Sequence, residues 1–218
     1  MEEVFNKNTL DFLKNISYLI WLLPLLIAFA RRNLLDKSQK KILSIVLVMI
    51  ANDSLTYVLS IQKIPNLWVY HFYVPLLMIL VMRIYTEHLH GVRYERYLKY
   101  LAWGFVLCCL IESTVFGGLK SLNSTSIAIA SLLYVALSIM FFFHWLSKSE
   151  NFKIGERPMF WLNMGMLVYY SSTLVLFTFY NRVISDQHLF HLGWTLNAVF
   201  YLFLIGSLSV ALWLRSQV

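Results

Sequence analysis

The residues able to do chemistry in this chain are few, and most of them lie inside apolar runs. Asp53 stands between Asn52 and Ser54, His71 beside Tyr70, and Glu112 at the end of a long apolar stretch. His188 and His191 are three residues apart and are followed by Trp194 and Asn197. Three kinds of chemistry fit these types. A carboxylate and an imidazole facing each other can share a proton or pair as ions around a polar ligand. Asp53, His71, Glu112, His188 and His191 also carry the donor atoms of a zinc-type metal site, with both late histidines near one helical face. Trp68, Tyr70, Tyr73 and Trp194 supply walls for an apolar pocket, and Tyr57, one turn beyond Asp53, adds a hydroxyl on the same face. Each group has a plainer reading too. Asn, Ser and His cross-link membrane helices, and Trp and Tyr anchor helix ends at the interface.

The elements that must position these residues follow from composition. The 218 residues are 59% hydrophobic and 13% charged, where a soluble domain carries about a quarter charged. With a mean hydropathy of +0.65, the apolar surface exceeds what one aqueous core hides, so lipid is the solvent. A bilayer core of about 30 Å needs roughly 20 helical residues. Uncharged runs predict spans at 12–30, 41–61, 66–87, 98–117, 123–147, 158–181 and 188–214. The expected fold is all-α, a single domain over 1–218 forming a polytopic bundle of seven transmembrane helices.

Thirteen of the 18 Lys and Arg fall on one side of these spans and five on the other. The positive-inside rule then predicts the N-terminus outside, the C-terminus cytoplasmic, and a multi-pass protein of the cell membrane. Because the basic residues sit between spans, topology explains a net charge of +7 and no nucleic-acid partner is implied; the lipid bilayer is the partner. The two cysteines, Cys108 and Cys109, are adjacent in an apolar run and form no disulfide framework.

This topology puts Asp53, His71, Glu112, His191 and Asn197 at mid-depth or outward, leaving the inner half mostly Leu, Val, Ile, Met and Phe. It predicts an outward-facing polar pocket in which Asp53, Tyr57, His71, Glu112, His191 and Asn197, with Trp68 and Trp194, bind a small molecule of unknown identity.

No connection is long enough to hold a soluble domain. Function therefore resides within the helices or passes to a cytoplasmic partner. Arg93, Arg96 and Lys99, interleaved with tyrosines, are either interface anchors or the docking face for that partner. Retinal is excluded as a cofactor, because residues 188–214 contain no lysine for a Schiff base. The third span ends Met82-Arg83-Ile84-Tyr85, unlike the Asp-Arg-Tyr ending of animal-type receptors. The segment Asn66-Leu67-Trp68-Val69-Tyr70-His71-Phe72-Tyr73 and the pattern Trp194-x-x-Asn197-x-x-x-Tyr201 resemble small uncharacterised bacterial seven-helix membrane proteins. Some of these are similar to sensor modules that accompany histidine kinases. The resemblance implies a sensor or receptor-like role with the output domain on another chain.

Two other classes stay open. Trp68-x-x-His71 and Trp194-x-x-Asn197 open the third and seventh spans alike, as in transporters that repeat three helices around a seventh. Asp53 has no acidic counterpart in the sixth span, which weakens that reading. A metal-dependent membrane hydrolase would use the histidines of the last span, although the family spacing is His-x-x-x-His and here it is His188-x-x-His191. An enzyme is the less favoured reading.

Overall fold

The computed structural model describes residues 12, 16, 19–89, 95–116, 118–147 and 154–214. All regular structure among these residues is helical. In chain order the helices are α1 (Leu22–Ala30), α2 (Lys37–Ile61), α3 (Trp68–His88), α4 (Glu95–Ile111), α5 (Ser124–Leu146), α6 (Pro158–Thr178), α7 (Tyr180–Ser185) and α8 (Gln187–Trp213). A π-helical turn, Glu112–Phe116, extends α4. Six helices, α2 to α6 and α8, are long and apolar enough to cross a membrane, so by length and composition the chain is a polytopic membrane protein. The first expected span, 12–30, falls partly outside the described residues; α1 is its described part. Arg93 also lies outside them.

Helix ends differ from the expected ones where polar side chains cap them. The second span begins at Lys37 rather than at 41, although three lysines lie in its first turns. Asp36 accepts from the Gln39 N–H at 2.6 Å and the Gln39 side chain accepts from the Asp36 N–H at 3.1 Å, a reciprocal capping box. Helix α2 ends with Lys63 in the left-handed region (φ 55) and a hydrogen bond from the Ile64 N–H to the Leu59 carbonyl, a Schellman-type stop normally made by glycine. Pro158 opens α6 where its missing N–H costs nothing. Asp186 caps α8 through the N–H groups of His188 and Leu189.

The helices alternate in direction. The starts of α2, α4 and α6 and the ends of α3, α5 and α8 share one end, where Ser38 meets His88, Lys41 pairs with Glu87 and Gln39 meets Leu214. We call it the basic end, after Arg31, Arg32, Lys37, Lys40, Lys41, Arg96, Lys99 and Arg157. The opposite, far end joins α3 to the chain before α5 through Asn123 and Tyr70.

Helix α6 packs most extensively, between α5 and α8. Gly165 makes that approach possible: a Cβ there would stand 2.9 Å from side-chain atoms of Leu204 and Ser207. Ile42, Val46, Met78, Tyr85, Leu204 and Leu208 fill the core beside it. Helix α4 buries the least of the six long helices and lies at the rim of the bundle, chiefly against α3.

Candidate functional site

The ionisable residues of the spans do not converge. On α2, Asp53 accepts from the Trp21 indole at 2.9 Å, the Tyr201 hydroxyl at 2.5 Å and the Asn52 amide at 3.2 Å. These donors reach it from the residue before α1, from α8 and from its own helix. Asp53 and Tyr57 also border a groove of about 480 Å³ between the α1 region and α2.

His71 is buried on α3 and fastens other elements. Its Nδ1 bonds Ser113 Oγ in the π turn at 2.6 Å, and its Nε2 bonds the Ser121 carbonyl at 2.8 Å. Glu112 caps a neighbouring helix: its carboxylate accepts from the N–H groups of Thr125 and Ser126 and from the Ser126 hydroxyl. Asn123, the residue before α5, makes no side-chain cap of its own, so Glu112 supplies the anion that the helix N-terminus favours. The expected common cavity of Asp53, His71 and Glu112 is thus divided into three separate bonding sites. His188 is exposed at the start of α8, and His191 packs on Phe190. Among the described residues, no group of three or more His, Cys, Asp or Glu could hold a metal ion. Both cysteines are free.

A different set of side chains does converge. At the far end, α3, α5, α6 and α8 enclose a cavity of about 290 Å³. Tyr70 and Tyr73 reach it from α3, Tyr134 from α5, Tyr169 and Tyr170 from α6, Tyr180 from α7, and Trp194 and Asn197 from α8. Leu77, Ile127, Ala130 and Phe177 complete the wall, and no charged residue lines it. Of the residues predicted for a pocket, Asn197 and Trp194 line this cavity, as do Tyr70 and Tyr73. Asp53, Tyr57, His71, Glu112 and His191 do not; Trp68 is half exposed and meets Phe72 edge-on.

The rings form a continuous chain from Asp53 to the cavity. Trp21 and Tyr201 lie 5.9 Å apart, Tyr201 and Tyr169 5.2 Å, Tyr169 and Tyr170 4.8 Å, and Tyr170 and Tyr134 4.4 Å. Asp53 therefore holds the Tyr201 hydroxyl, and the Tyr201 ring backs Tyr169 in the wall. Asn197 donates to Thr173 at 2.9 Å and Ser172 at 3.3 Å, which fixes α8 against α6 at the rim. The Tyr134 hydroxyl and the Trp194 indole N–H are buried with no hydrogen-bond partner among the described residues. A buried donor ordinarily has a partner, so these two are unused capacity at a cavity wall.

The half towards the basic end, expected to be the inner and mostly apolar one, contains a polar joint. Tyr85 on α3 donates to Asn163 Oδ1 on α6 at 2.5 Å and lies 3.1 Å from Ser138 Oγ on α5; all three are fully buried. Gln39 was also missed. Its side-chain amide donates to the Ala211 and Leu214 carbonyls at 2.9 and 2.8 Å, closing the C-terminal turn of α8. One sign was available in the sequence for the cavity wall: Tyr134, Tyr170 and Tyr201 lie well inside spans, away from the ends where interfacial tyrosines belong.

No protein-family model matches the chain, and neither the curated proteins nor the solved structures contain a match.

Proposed function

We propose that this protein is a seven-span membrane sensor, N-terminus outside, whose tyrosine-walled cavity takes an uncharged, flat, largely apolar molecule bearing a hydrogen-bond acceptor. The observation that carries this reading is the pairing of a charge-free aromatic wall with two buried, unpartnered donors, Tyr134 and Trp194. A ligand with a full charge would lose its hydration there and gain no counterion. A flat ring stacks on tyrosine faces, and its acceptor takes a hydrogen bond from a waiting donor. The helices that wall the cavity also meet at Tyr85, Ser138 and Asn163, so a shift of α5 or α6 around a ligand bears on a joint nearer the basic end. A partner docked at that end reads the shift. Neither the transporter nor the hydrolase reading has a comparable observation behind it.

Thermal unfolding of purified protein tests the ligand class. Flavone, flat and uncharged with a carbonyl acceptor, is expected to raise Tm, and a flavone carboxylate is not. Tyr134→Phe removes one donor and weakens flavone binding about tenfold, the value of one hydrogen bond. Ala130→Leu fills the cavity and abolishes the shift. Equal shifts in wild type and Ala130→Leu refute the site, and stabilisation by tetramethylammonium instead of flavone reassigns it to cations held by ring faces. Orientation has its own test in a background lacking Cys108 and Cys109. Cysteine at Ser121 is labelled by an impermeant reagent from outside and cysteine at Asn33 is not; the reverse pattern inverts the topology.

A further inference from the structure

We infer that the groove between α3 and α4 at the basic end binds an anionic phospholipid, with Arg83 and Lys99 contacting its phosphate. Arg83 lies inside a membrane-spanning helix yet is exposed, and no described residue pairs with it. It stands five residues before the end of α3; Lys99 stands four residues after the start of the antiparallel α4. At 1.5 Å rise per residue both cations sit at about the same depth, roughly 6–8 Å below the helix ends, where lipid phosphates and snorkelling side chains meet. Ile79, Arg83 and Glu87 form one i, i+4, i+8 stripe on α3, and Lys99 and Trp103 form the facing stripe on α4. Together with Thr86 and Ala102 these residues line a cavity of about 330 Å³.

Three features select a lipid. The groove lies on the least buried span, beside Trp103, which is 65% exposed, so its open side faces the surroundings of the bundle and not its core. Its deeper part is apolar, through Ile79, Ala102 and Trp103, and suits an acyl chain. The one acid at its edge, Glu87, is paired with Lys41 on α2, which leaves the positive charge of Arg83 unanswered within the protein. An anionic headgroup supplies the missing charge, and each cation near the surface is worth about fivefold in binding. This site is separate from the tyrosine cavity and stands independently of its ligand.

The test uses full-length protein in phosphatidylcholine nanodiscs containing brominated phosphatidylglycerol or brominated phosphatidylcholine. Bromine quenches tryptophan at contact, and the Trp103 signal is obtained by difference from Trp103→Phe. Half-quenching is expected at about 25-fold lower mole fraction of phosphatidylglycerol than of phosphatidylcholine, given two cations of that value. R83Q/K99Q abolishes the preference, whereas R83K/K99R retains it with unchanged helix content. Where the double variant does not insert, Arg83→Gln alone carries the test, with the preference reduced about fivefold. Equal quenching by the two lipids in wild type, or a preference that survives R83Q/K99Q, overturns the inference. If inorganic phosphate removes the preference and chloride of equal ionic strength does not, the site reads free phosphate and the lipid assignment falls.

Discussion

The two halves of the bundle differ in how many buried polar groups they leave over, although His71, Glu112 and Asn197 are bonded in the far half too. Towards the basic end, Tyr85, Ser138 and Asn163 bond one another, Gln39 satisfies the last carbonyls of α8, Ser38 meets His88, and Lys41 pairs with Glu87. From mid-depth to the far end, Asn52 Oδ1, Asn123 Oδ1, Tyr134 Oη, His191 Nδ1, Trp194 Nε1 and Thr195 Oγ1 are buried without partners among the described residues. The same helices run through both halves, so helix propensity and span length cannot explain the contrast. Packing does. Gly165 near the joint and Gly193 at the far end both let α6 and α8 close tightly, and the open space lies beside that seam, among the rings of Tyr70, Tyr134, Tyr170 and Trp194. One half is built to stay shut. The other leaves several buried donors and acceptors without partners among the described residues, which is the feature the proposed ligand would use.

The largest expected effect sets the two halves directly against each other. Gly165→Leu forces a side chain into Leu204 and Ser207, and such overpacking costs about 1–3 kcal/mol or prevents assembly. Ala130→Leu adds similar volume to a cavity wall and should cost little, with loss of binding as its only consequence. Thermal melts of the two variants in detergent check this. Comparable destabilisation would mean that the far cavity is as closely packed as the joint.

Asn163→Leu comes next. It removes the acceptor of the Tyr85 hydroxyl and leaves Ser138 as the only partner. Side-chain hydrogen bonds between membrane helices average about 0.6 kcal/mol and reach about 1.7, so a loss near the upper value is expected for a fully buried pair. Tyr85→Phe combined with Asn163→Leu should recover part of it, since both members of the bond are then gone. A double variant no better than the single one would show that Tyr85 finds other partners and that the joint is loose.

Glu112→Gln should cost about 0.5–1 kcal/mol, because the amide still accepts from the start of α5 but no longer brings a negative charge to the helix N-terminus. Raised salt should shrink the difference. A salt-independent loss would assign Glu112 to packing instead.

The positions of six of the seven expected spans were legible because long uncharged apolar runs mark helices able to cross a bilayer, and that property is written along the chain. Helix ends were less so: the early start of α2 needs Asp36 and Gln39 to bond each other, and Gln39 also needs the end of α8, 172 residues away. Part of the cavity lining was in view: Trp194 and Asn197 through their spacing at a helix start, Tyr70 and Tyr73 as aromatic neighbours of His71. Asp53, His71 and Glu112 stood out because an ion in a membrane demands explanation, but donors from distant elements answered each one. No local pattern announces Trp21 and Tyr201 meeting at one carboxylate. Tyr134, Tyr169 and Tyr170 carry no charge and break no rule of periodicity, so only three-dimensional placement makes them a wall.

The smallest expected effect is the sharpest test of the contrast. In Tyr134→Phe the ring that packs at 4.4 Å on Tyr170 stays, and only a hydroxyl without a partner is removed. Loss of a satisfied buried hydrogen bond costs about 0.5–1.5 kcal/mol, whereas removal of an unsatisfied polar group is neutral or stabilising. Unliganded Tyr134→Phe should therefore melt within error of wild type or slightly above it, while Tyr85→Phe, the same chemical change on the neighbouring helix α3, should melt lower. The pair differs only in whether the hydroxyl is engaged, so ring size, hydrophobicity and helix propensity cancel between them. A clear loss of stability in Tyr134→Phe would show that its hydroxyl is satisfied in the unliganded protein, and the reserve of donors at the far end would then not exist.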